Sequence, residues 1–306
     1  MKILNYFKAL SDKTRLRLFN ILLHYELNVN EIVSILGMSQ PAISRHLKVL
    51  LDSGLIKFRR DGLWIFYSVL NNGDGHDFID SIKTFLNSES EFSTDKDKCQ
   101  KIINQRSTAT TRFFNKVAGD WGKLKQNIIG NFDINAIITQ YMPKCRLAVD
   151  VGCGTGDLIP DLLTKADNVI GVDRSSKMLE QAERNLSAYS KKISLRLGDL
   201  EYLPLSNNEA DFAIANMVLH HLSSPSDAIK EINRILKRRG KFIIVDLLKH
   251  SNELMREKYG DRWLGFEKEE IKKWLIKSNY HIIDSVKFEI KNKLKILLFL
   301  SEKNIH

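Results

Sequence analysis

The chain of 306 residues carries 47 Lys and Arg against 37 Asp and Glu, which gives a formal net charge of +10 at pH 7. This length suits two domains, each with its own hydrophobic core. The longest apolar runs, residues 242–245 and 296–300, have only the length of strands, so we expect no membrane partner. The N-terminus lacks a basic and apolar leader, and the three cysteines form no paired framework. The sequence therefore predicts a cytoplasmic protein with reduced thiols.

The first 72 residues predict short helices followed by a β-hairpin. Apolar periodicity indicates helices over residues 3–9, 12–24, 31–36 and 41–53. Ser39 is positioned to cap the last of them. The dipeptide Asp61-Gly62 is a strong hairpin signal between strands predicted at residues 55–60 and 64–70. This order of elements describes a helix-turn-helix with a wing.

The second helix of the helix-turn-helix presents polar side chains that suit DNA. On helical spacing Gln40, Ser44 and Lys48 share one face, while Ile43 and Leu47 can face the core. Gln and Arg can read base edges, whereas Ser, His and Lys more often contact phosphate. Between residues 1 and 75, ten Lys and Arg stand against six Asp and Glu. The predicted DNA-binding residues are Gln40, Ser44, Arg45, His46, Arg59 and Arg60.

The N-terminal region resembles ArsR/SmtB-type winged-helix repressors, with a similar recognition helix in S-Q-P-A-I-S-R-H-L-K-V-L at residues 39–50. The resemblance covers about residues 1–72 and implies binding to a double-stranded DNA operator. It also implies a homodimer formed through helices at residues 3–7 and 78–86, although these apolar stripes could instead pack on the neighbouring domain. Some members sense metals through a Cys-x-Cys pair. The matching residues here are Asn28 and Asn30, so we expect no metal site.

Residues 73–142 are predicted to be mainly helical and polar. Residues 87–98 are rich in Ser, Asp, Glu and Lys, which is typical of a linker. The predicted layout is a winged helix with dimerisation elements at residues 1–88, a linker at 89–110 and a second domain at 111–306.

From residue 146 onward strands and helices alternate, which predicts an α/β domain with a doubly wound, mostly parallel sheet. Five strands are expected near residues 147–151, 168–172, 193–198, 211–216 and 241–246. Two more, at 281–290 and 294–301, are separated by only three residues. They must pair antiparallel, because parallel pairing needs a long crossover.

Three glycines follow the first of these strands, in V-D-V-G-C-G-T-G-D at residues 149–157. Such glycines allow a tight turn that brings backbone N–H groups close to a ligand. Asp173 ends the next strand, where an acid can accept hydrogen bonds from the hydroxyls of a ribose. The pattern predicts a nucleoside-containing cofactor. Asp157 argues against a dinucleotide, whose loop would have its last glycine there.

This loop, Asp173, the segment L-G-D-L at residues 197–200 and the antiparallel end of the sheet together resemble class I S-adenosylmethionine-dependent methyltransferases, especially the ubiquinone and menaquinone type. The resemblance covers about residues 110–300. It implies S-adenosylmethionine as the cofactor, with Asp150 near its ammonium, Asp173 at the ribose and Asp199 at the adenine. Residues 112–121 resemble the aromatic lid helix of these enzymes, although ordinary helix core would explain them equally well. The implied cofactor-binding residues are Asp150, Gly152, Gly154, Gly156, Asp173, Met178, Asp199, Leu200, Asn216 and Trp121.

Methyl transfer needs a general base only when the acceptor is an un-ionised hydroxyl or amine. The candidate catalytic residues are His221, in the His-His pair after the fourth strand, and His250. We expect a small-molecule acceptor, because the segment at Asn216 lacks the Pro-rich tetrapeptide of amino-methylating nucleic-acid enzymes. Arsenite is not expected, since the enzymes that methylate it use several thiolates and this domain has only Cys145 and Cys153.

Residues 246–266 resemble the matching part of known fusions between an ArsR repressor and a methyltransferase, so the likeness spans nearly the whole chain. Asp246, His250 and Glu253 carry metal-capable groups there, but a solvated helix start explains them better and we assign no metal ligand. Two functions fit the sequence. One is a DNA-binding regulator that also methylates an unidentified small molecule. The other is a repressor that senses S-adenosylmethionine or S-adenosylhomocysteine without turnover.

Overall fold

A computed structural model describes residues 1–70, 76–86 and 90–305 of the chain. The chain forms two compact units, Met1–Arg106 and Ser107–His306. Within the described ranges, every helix is too short or too polar to span a lipid bilayer.

The first unit is a winged helix, as predicted. Its helices include α1 (Lys2–Leu10), α2 (Lys13–His24), α3 (Val29–Leu36), α4 (Gln40–Asp52) and α5 (His76–Leu86). Its antiparallel sheet has the order β1-β3-β2 and consists of β1 (Leu27–Asn28), β2 (Ile56–Asp61) and β3 (Trp64–Val69). One apolar face of each helix contributes to a single core, which includes Leu18, Ile32, Ile43 and Leu50.

Polar side chains fix where two of these helices begin. Asp12 accepts a hydrogen bond from the Arg15 N–H at 2.9 Å and so caps α2. Asn28 Oδ1 accepts from the Glu31 N–H at 3.1 Å, while Glu31 Oε2 accepts from the Asn28 N–H at 2.8 Å. This reciprocal capping box starts α3 two residues earlier than predicted. Ser39, by contrast, makes no capping hydrogen bond with its side chain.

The largest difference from the predicted layout is α6 (Ser90–Val117), a helix of 28 residues where a linker at 89–110 was expected. Phe92 and Cys99 of α6 are buried in the core of the first unit. Asp95 is 1% exposed and accepts two hydrogen bonds from Arg17, at 2.7 and 2.8 Å. The polar composition of α6 obscured its buried face in the sequence, because the apolar and ion-paired residues of that face recur only every three or four positions. Residues 87–89 of the predicted boundary lie outside the described residues.

The second unit is built on a seven-stranded sheet, which confirms the predicted α/β fold. Its strands are β4 (Cys145–Val151), β5 (Ala166–Asp173), β6 (Ile193–Leu197), β7 (Ala210–Asn216), β8 (Leu236–Leu247), β9 (Tyr280–Glu289) and β10 (Lys295–Lys303). They lie in the order β6-β5-β4-β7-β8-β10-β9. The strands from β6 to β8 run parallel, and β10 is antiparallel to both of its neighbours. The predicted antiparallel pair is therefore confirmed.

Helices cover this sheet, whose central strands are buried and apolar over residues 212–215 of β7 and 242–245 of β8 because both faces are covered there. They are α7 (Trp121–Ile129), α8 (Ile134–Tyr141), α9 (Ile159–Leu162), α10 (Ser176–Asn185), α11 (Pro225–Ile235), α12 (Leu254–Tyr259) and α13 (Lys268–Lys277). Helix α9 has only four residues. The N–H groups of Thr164 and Lys165 bond to carbonyls only three residues back, which tightens the chain into turns.

The capping box gives a stability prediction. We expect Asn28→Ala to lower the free energy of unfolding by about 1 kcal/mol, because it leaves the Glu31 N–H at the start of α3 without its side-chain acceptor. Asn30→Ala is the matched control, since Asn30 is exposed and should change stability by no more than about 0.5 kcal/mol. Differential scanning calorimetry of both full-length variants measures the effect. Equal losses in the two variants would contradict the capping role.

Candidate functional site

The carboxyl ends of five parallel strands meet at one edge of the second unit's sheet. Along this edge the strand order is β6, β5, β4, β7 and β8. Neighbouring strands lie about 4.8 Å apart, so the edge from β6 to β7 spans about 14 Å. One cavity opens here, and residues that follow β6, β5, β4 and β7 line it. Ligands of such sheets bind at this edge, as the sequence predicted.

The glycine loop after β4 forms part of the cavity wall. Gly152 has φ +78°, and a Cβ placed on it would lie 2.4 Å from Val218 Cγ2. A side chain there would be strained by the backbone and would also collide with a buried valine. Gly152 and Gly154 line the cavity, whereas Gly156 packs against Leu186 beyond α10 and lies outside the lining. The structure thus gives Gly156 a packing role in place of the predicted cofactor contact.

Asp173, at the end of β5, holds the glycine loop in place. Its Oδ2 accepts a hydrogen bond from the Gly154 N–H at 2.9 Å, and its Oδ1 accepts from the Ser175 N–H at 2.8 Å. Burial raises the pKa of Asp173, and these backbone donors partly offset that effect. A carboxylate oxygen can accept more than one hydrogen bond, so Asp173 keeps acceptor capacity toward the cavity that it lines.

Asp150, at the end of β4, is the most deeply buried acid of the cavity, with 2% of its surface exposed. Burial raises its pKa to about 7, against the opposing influence of the Lys125 ammonium. A cation that binds beside a buried carboxyl group with a raised pKa strongly stabilises its ionised form.

On the β6 side, Asp199 lines the cavity together with Met178 and Leu200, which are both buried. Asp199 Oδ2 pairs with Arg174 Nη2 at 2.9 Å, and its Oδ1 accepts from the Glu201 N–H at 3.1 Å. Sequence reasoning missed Arg174, although its place directly after Asp173 could have indicated it. The guanidinium fixes the orientation of the acid predicted to meet an adenine.

Aromatic side chains cover the glycine loop. Phe114 of α6 and Trp121 of α7 line the cavity, with ring centroids 5.3 Å apart. The indole Nε1 of Trp121 would lie 3.7 Å from a Cβ placed on Gly154. Phe113 does not line the cavity and instead packs against Gly260. Asn115 accepts a hydrogen bond from Ser175 Oγ at 2.6 Å, which ties the last turns of α6 to the end of β5.

The two histidines after β7 lie in a short 3-10 turn, and both line the cavity. His220 Nδ1 is 2.6 Å from Asp246 Oδ1, and Asp246 also accepts from the N–H groups of Leu219 and Leu247. His221 Nδ1 is 3.1 Å from the carbonyl oxygen of Gly260.

These contacts give the two imidazoles different protonation states. Burial would lower the pKa of His220, but the carboxylates of Asp246 and Asp261 outweigh it and raise that pKa to about 9. Burial and the neighbouring His220 charge hold the pKa of His221 well below its usual range. At neutral pH, His221 therefore presents an uncharged imidazole to the cavity.

The other predicted site residues of this unit are placed differently. Asn216 lines the cavity at the end of β7, and its Oδ1 is buried without a hydrogen-bond partner among the described residues. An orphaned acceptor of this kind suits a ligand donor. His250 lies outside the lining, where its Nδ1 accepts from the Asn252 N–H at 3.2 Å. The structure does not bring His250 to the predicted site.

The predicted DNA-binding residues of the first unit fall into two groups. Gln40, Ser44 and Arg45 are exposed on α4, and Arg60 is exposed on β2. His46 is half-buried, with its Nδ1 3.7 Å from Asp12 Oδ1. Arg59 donates to Glu26 Oε1 at 3.1 Å and lies over the ring of Phe66. The alternation of a β-strand separates Arg59 from Arg60, which points to the opposite face.

Comparison with known families agrees with this geometry. Residues 12–57 match the family model described as bacterial regulatory protein, arsR family. Residues 149–244 match the family model described as methyltransferase domain.

Individual relatives and solved structures each match part of the chain. A demethylmenaquinone methyltransferase from Symbiobacterium thermophilum is 32% identical over 156 residues, which cover 49% of this chain and 58% of that protein. A Bacillus halodurans protein proposed to be a methyltransferase has a crystal structure with a TM-score of 0.51 and 14% identity, covering 56% of this chain and all of that one. The crystal structure of SpnF, a [4+2]-cyclase, has a TM-score of 0.50 and 18% identity, covering 56% of this chain and 80% of that one.

The chain spans between 29% and 62% of the length of the first curated relatives that it matches. The solved structures show the fold, and the cyclase among them shows that this fold also serves other chemistry. Together the family matches show an ArsR-family helix-turn-helix followed by a methyltransferase domain of the class I fold. The second match implies S-adenosylmethionine as the cofactor. The cavity fits it, with a glycine cradle, the orphaned Asn216 oxygen and a buried carboxyl group for the ammonium.

Asp150 gives a pH prediction for this cofactor. Its pKa of about 7 means that the carboxyl group is mostly protonated at pH 6 and mostly ionised at pH 8. Only the ionised form attracts the ammonium, so the affinity should rise with pH and fall by about tenfold per unit below pH 7. Isothermal titration of S-adenosylmethionine between pH 6 and pH 8 measures this. Asp150→Asn should bind weakly with little change over that range, whereas the exposed Asp167→Asn should keep the wild-type profile.

Proposed function

We propose that this protein is a homodimeric, DNA-binding regulator whose second domain transfers a methyl group from S-adenosylmethionine to a small molecule. The proposal rests on one observation above all. The cofactor-binding features and a pair of histidines line the same cavity, in the order in which their strands lie along the sheet edge. A cofactor held over β6, β5 and β4 would direct its far end toward β7, where His220 and His221 are found.

The residues of this chain would mainly position the reactants and exclude water. S-adenosylmethionine supplies an electrophilic methyl group on a sulfonium, so much of the acceleration comes from alignment with the acceptor. Asp173 and Asn216 would hold the cofactor, while Phe114 and Trp121 close over it. His221, whose Nδ1 contacts Gly260, presents its uncharged ring to the cavity and can hydrogen-bond a hydroxyl acceptor.

The thiols argue against arsenite as the acceptor. Burial raises the pKa of Cys145 to about 11 and raises that of Cys153 well above its usual range, so neither supplies a thiolate at neutral pH. Cys153 lines the cavity within the glycine loop, and Cys145 lies at the far end of β4. We therefore propose an organic acceptor.

The family matches support an enzyme more than a sensor that never turns over. The matched domain is described as a methyltransferase, and two curated relatives that are 32% identical over about half of the chain are named demethylmenaquinone methyltransferase. This favours turnover over the alternative that the sequence left open.

The first domain would bind a DNA operator through the exposed face of α4 and the outward-facing Arg60 of the wing. A homodimer is supported by exposed apolar residues on two adjoining helices. Ile3, Leu4 and Phe7 of α1 are each about half exposed, and Phe85 of α5 is 76% exposed. Phe7 contacts Phe78 of α5, with ring centroids 5.4 Å apart, so these residues belong to one continuous surface. An exposed apolar patch of this kind marks a protein interface.

Asp173 tests the cofactor site. Replacing it with Ala removes both loop hydrogen bonds and the ribose acceptor, and charge-assisted bonds of this kind contribute about 1.5–3 kcal/mol each. We expect Asp173→Ala to weaken S-adenosylmethionine binding by more than about tenfold, and Asp173→Asn to weaken it less. Asp167→Ala, at the exposed start of the same strand, is the control.

Purified protein, labelled S-adenosylmethionine and a cell extract then test turnover. Label in the small-molecule fraction supports the proposal, and label confined to protein or nucleic acid contradicts it.

Arg45 tests the DNA site. A duplex selected by the wild-type protein from a random library serves as the probe. We expect Arg45→Ala to weaken binding by about tenfold or more, since a lost base contact costs about 1–3 kcal/mol. Arg238→Ala removes an equally exposed charge from the other domain and should bind like the wild type. Equal affinities for both variants in a fluorescence anisotropy titration would refute the assignment of α4.

A further inference from the structure

We propose that His220, His221 and Asp261 bind one divalent transition-metal ion beside the cavity. One ring nitrogen of each histidine and one Asp261 oxygen all lie within 4.8 Å of one another. All three residues are buried, and both histidines line the cavity. Two histidines and one carboxylate are a ligand set typical of catalytic zinc and of non-haem iron.

The distances suit a common ion better than direct hydrogen bonds. Asp261 Oδ1 lies 3.7 Å from His220 Nε2 and 4.0 Å from His221 Nδ1, both too long for a hydrogen bond. With metal–ligand bonds of about 2.0–2.2 Å, two ligands of one ion are about 3.4 Å apart at the tetrahedral angle and at most about 4.2 Å apart. These two separations fall within this range, and the three ligand atoms, which all lie within 4.8 Å of one another, would move closer together on binding.

The Asp261 carboxylate has no other satisfying partner. Both of its oxygens are buried and without a hydrogen bond among the described residues, and its side chain is only 1% exposed. A buried carboxylate of this kind is costly unless a cation or a donor compensates it. Arg256 acts on Asp261 electrostatically, but its guanidinium hydrogen-bonds to Glu253 Oε2 at 3.1 Å and to the carbonyl of Arg262.

The surroundings of the three residues are those of a metal site. Nδ1 of His220 is engaged by Asp246, so His220 would bind the ion through Nε2, which faces Asp261 and would give up its proton on binding. Histidine ligands commonly donate their second ring N–H to a carboxylate in this way, which fixes the ring. Two buried carboxylates, Asp246 and Asp261, lie within reach of His220, and a divalent ion would balance both charges. His221 would ligate through Nδ1 and give up its contact with the Gly260 carbonyl, so that Nε2 carries the proton.

The backbone holds the ligands together before any ion binds. The N–H groups of Arg262 and Trp263 donate to the carbonyl oxygen of His220 at 3.0 and 2.9 Å. The Trp263 indole N–H donates to the carbonyl of Leu222 at 2.8 Å. These three bonds fasten the segment that carries Asp261 to the turn that carries both histidines, so the site is preorganised.

Titration of tag-free, chelator-treated full-length protein with Zn²⁺, and with Co²⁺ as a spectroscopic probe, tests the site. We expect one ion per chain and ligand-field absorption bands from Co²⁺ bound by nitrogen and oxygen. Asp261→Asn and His221→Gln should each reduce the affinity by more than about 100-fold, and Asp246→Asn by about 10–100-fold because it acts through His220. His281→Gln, an exposed histidine on β9, should leave it unchanged.

Calorimetric binding of S-adenosylmethionine by the same samples reports whether each variant is folded, and it separates this proposal from the proposed function. Wild-type protein that binds the cofactor but neither metal would overturn the metal site and leave the methyltransferase proposal standing. Metal binding that Asp261→Asn and His221→Gln leave intact would also overturn it. In that case His220 would be a protonated partner of Asp246 and Asp261.

Discussion

The hydrogen bond between the Asp173 carboxylate and the Gly154 N–H is the interaction on which the cavity depends. It joins the loop after β4 to the end of β5 at 2.9 Å, and the second oxygen of the same carboxylate holds the Ser175 N–H, where α10 begins. Ser175 in turn donates to Asn115 of α6, so a short chain of contacts runs from the loop to the last turns of α6. A loop whose glycines have positive φ can adopt many backbone conformations. The hydrogen bond to the Asp173 carboxylate favours the conformation that lines the cavity.

Four acids lie at the carboxyl ends of the parallel strands β6, β5, β4 and β8, and their partners decide what each can do. The carboxylate of Asp199 is paired with the Arg174 guanidinium, so toward a ligand it acts as a hydrogen-bond acceptor. Asp173 is compensated by backbone donors and keeps its place in the loop. Asp150 has no comparable hydrogen bond among the described contacts, so its pKa stays near 7 and its charge responds to what binds. Asp246 is engaged with His220 and two backbone N–H groups. Asp173 thus fixes the loop geometry and Asp246 orients a ring, while the proposed roles of Asp199 and Asp150 are toward a ligand.

The parts of this structure that are periodic or local could be predicted from the sequence. The mostly parallel, doubly wound sheet follows from the alternation of strands and helices, and the antiparallel end follows from a three-residue connection between two strands. The glycine loop and Asp173 could be placed because they are adjacent to strand ends. The nature of α6 could not be predicted, because its buried face depends on Arg17, 78 positions away from Asp95 in sequence. Asp261 was missed for the same reason, since only the folded chain brings it beside His220 and His221.

The wing shows how local context decides the role of adjacent basic residues. Arg59 and Arg60 look equivalent in the sequence, and both were predicted to contact DNA. The strand turns Arg59 toward Glu26 and Phe66, where its charge is paired and its guanidinium stacks, while Arg60 faces solvent. His46 is likewise drawn toward Asp12 at the start of α2, so it contributes to how α4 packs as well as to its surface. Recognition of bases would then fall mainly to Gln40 and Arg45, since these side chains can make bidentate contacts and have no competing partner within the described first unit.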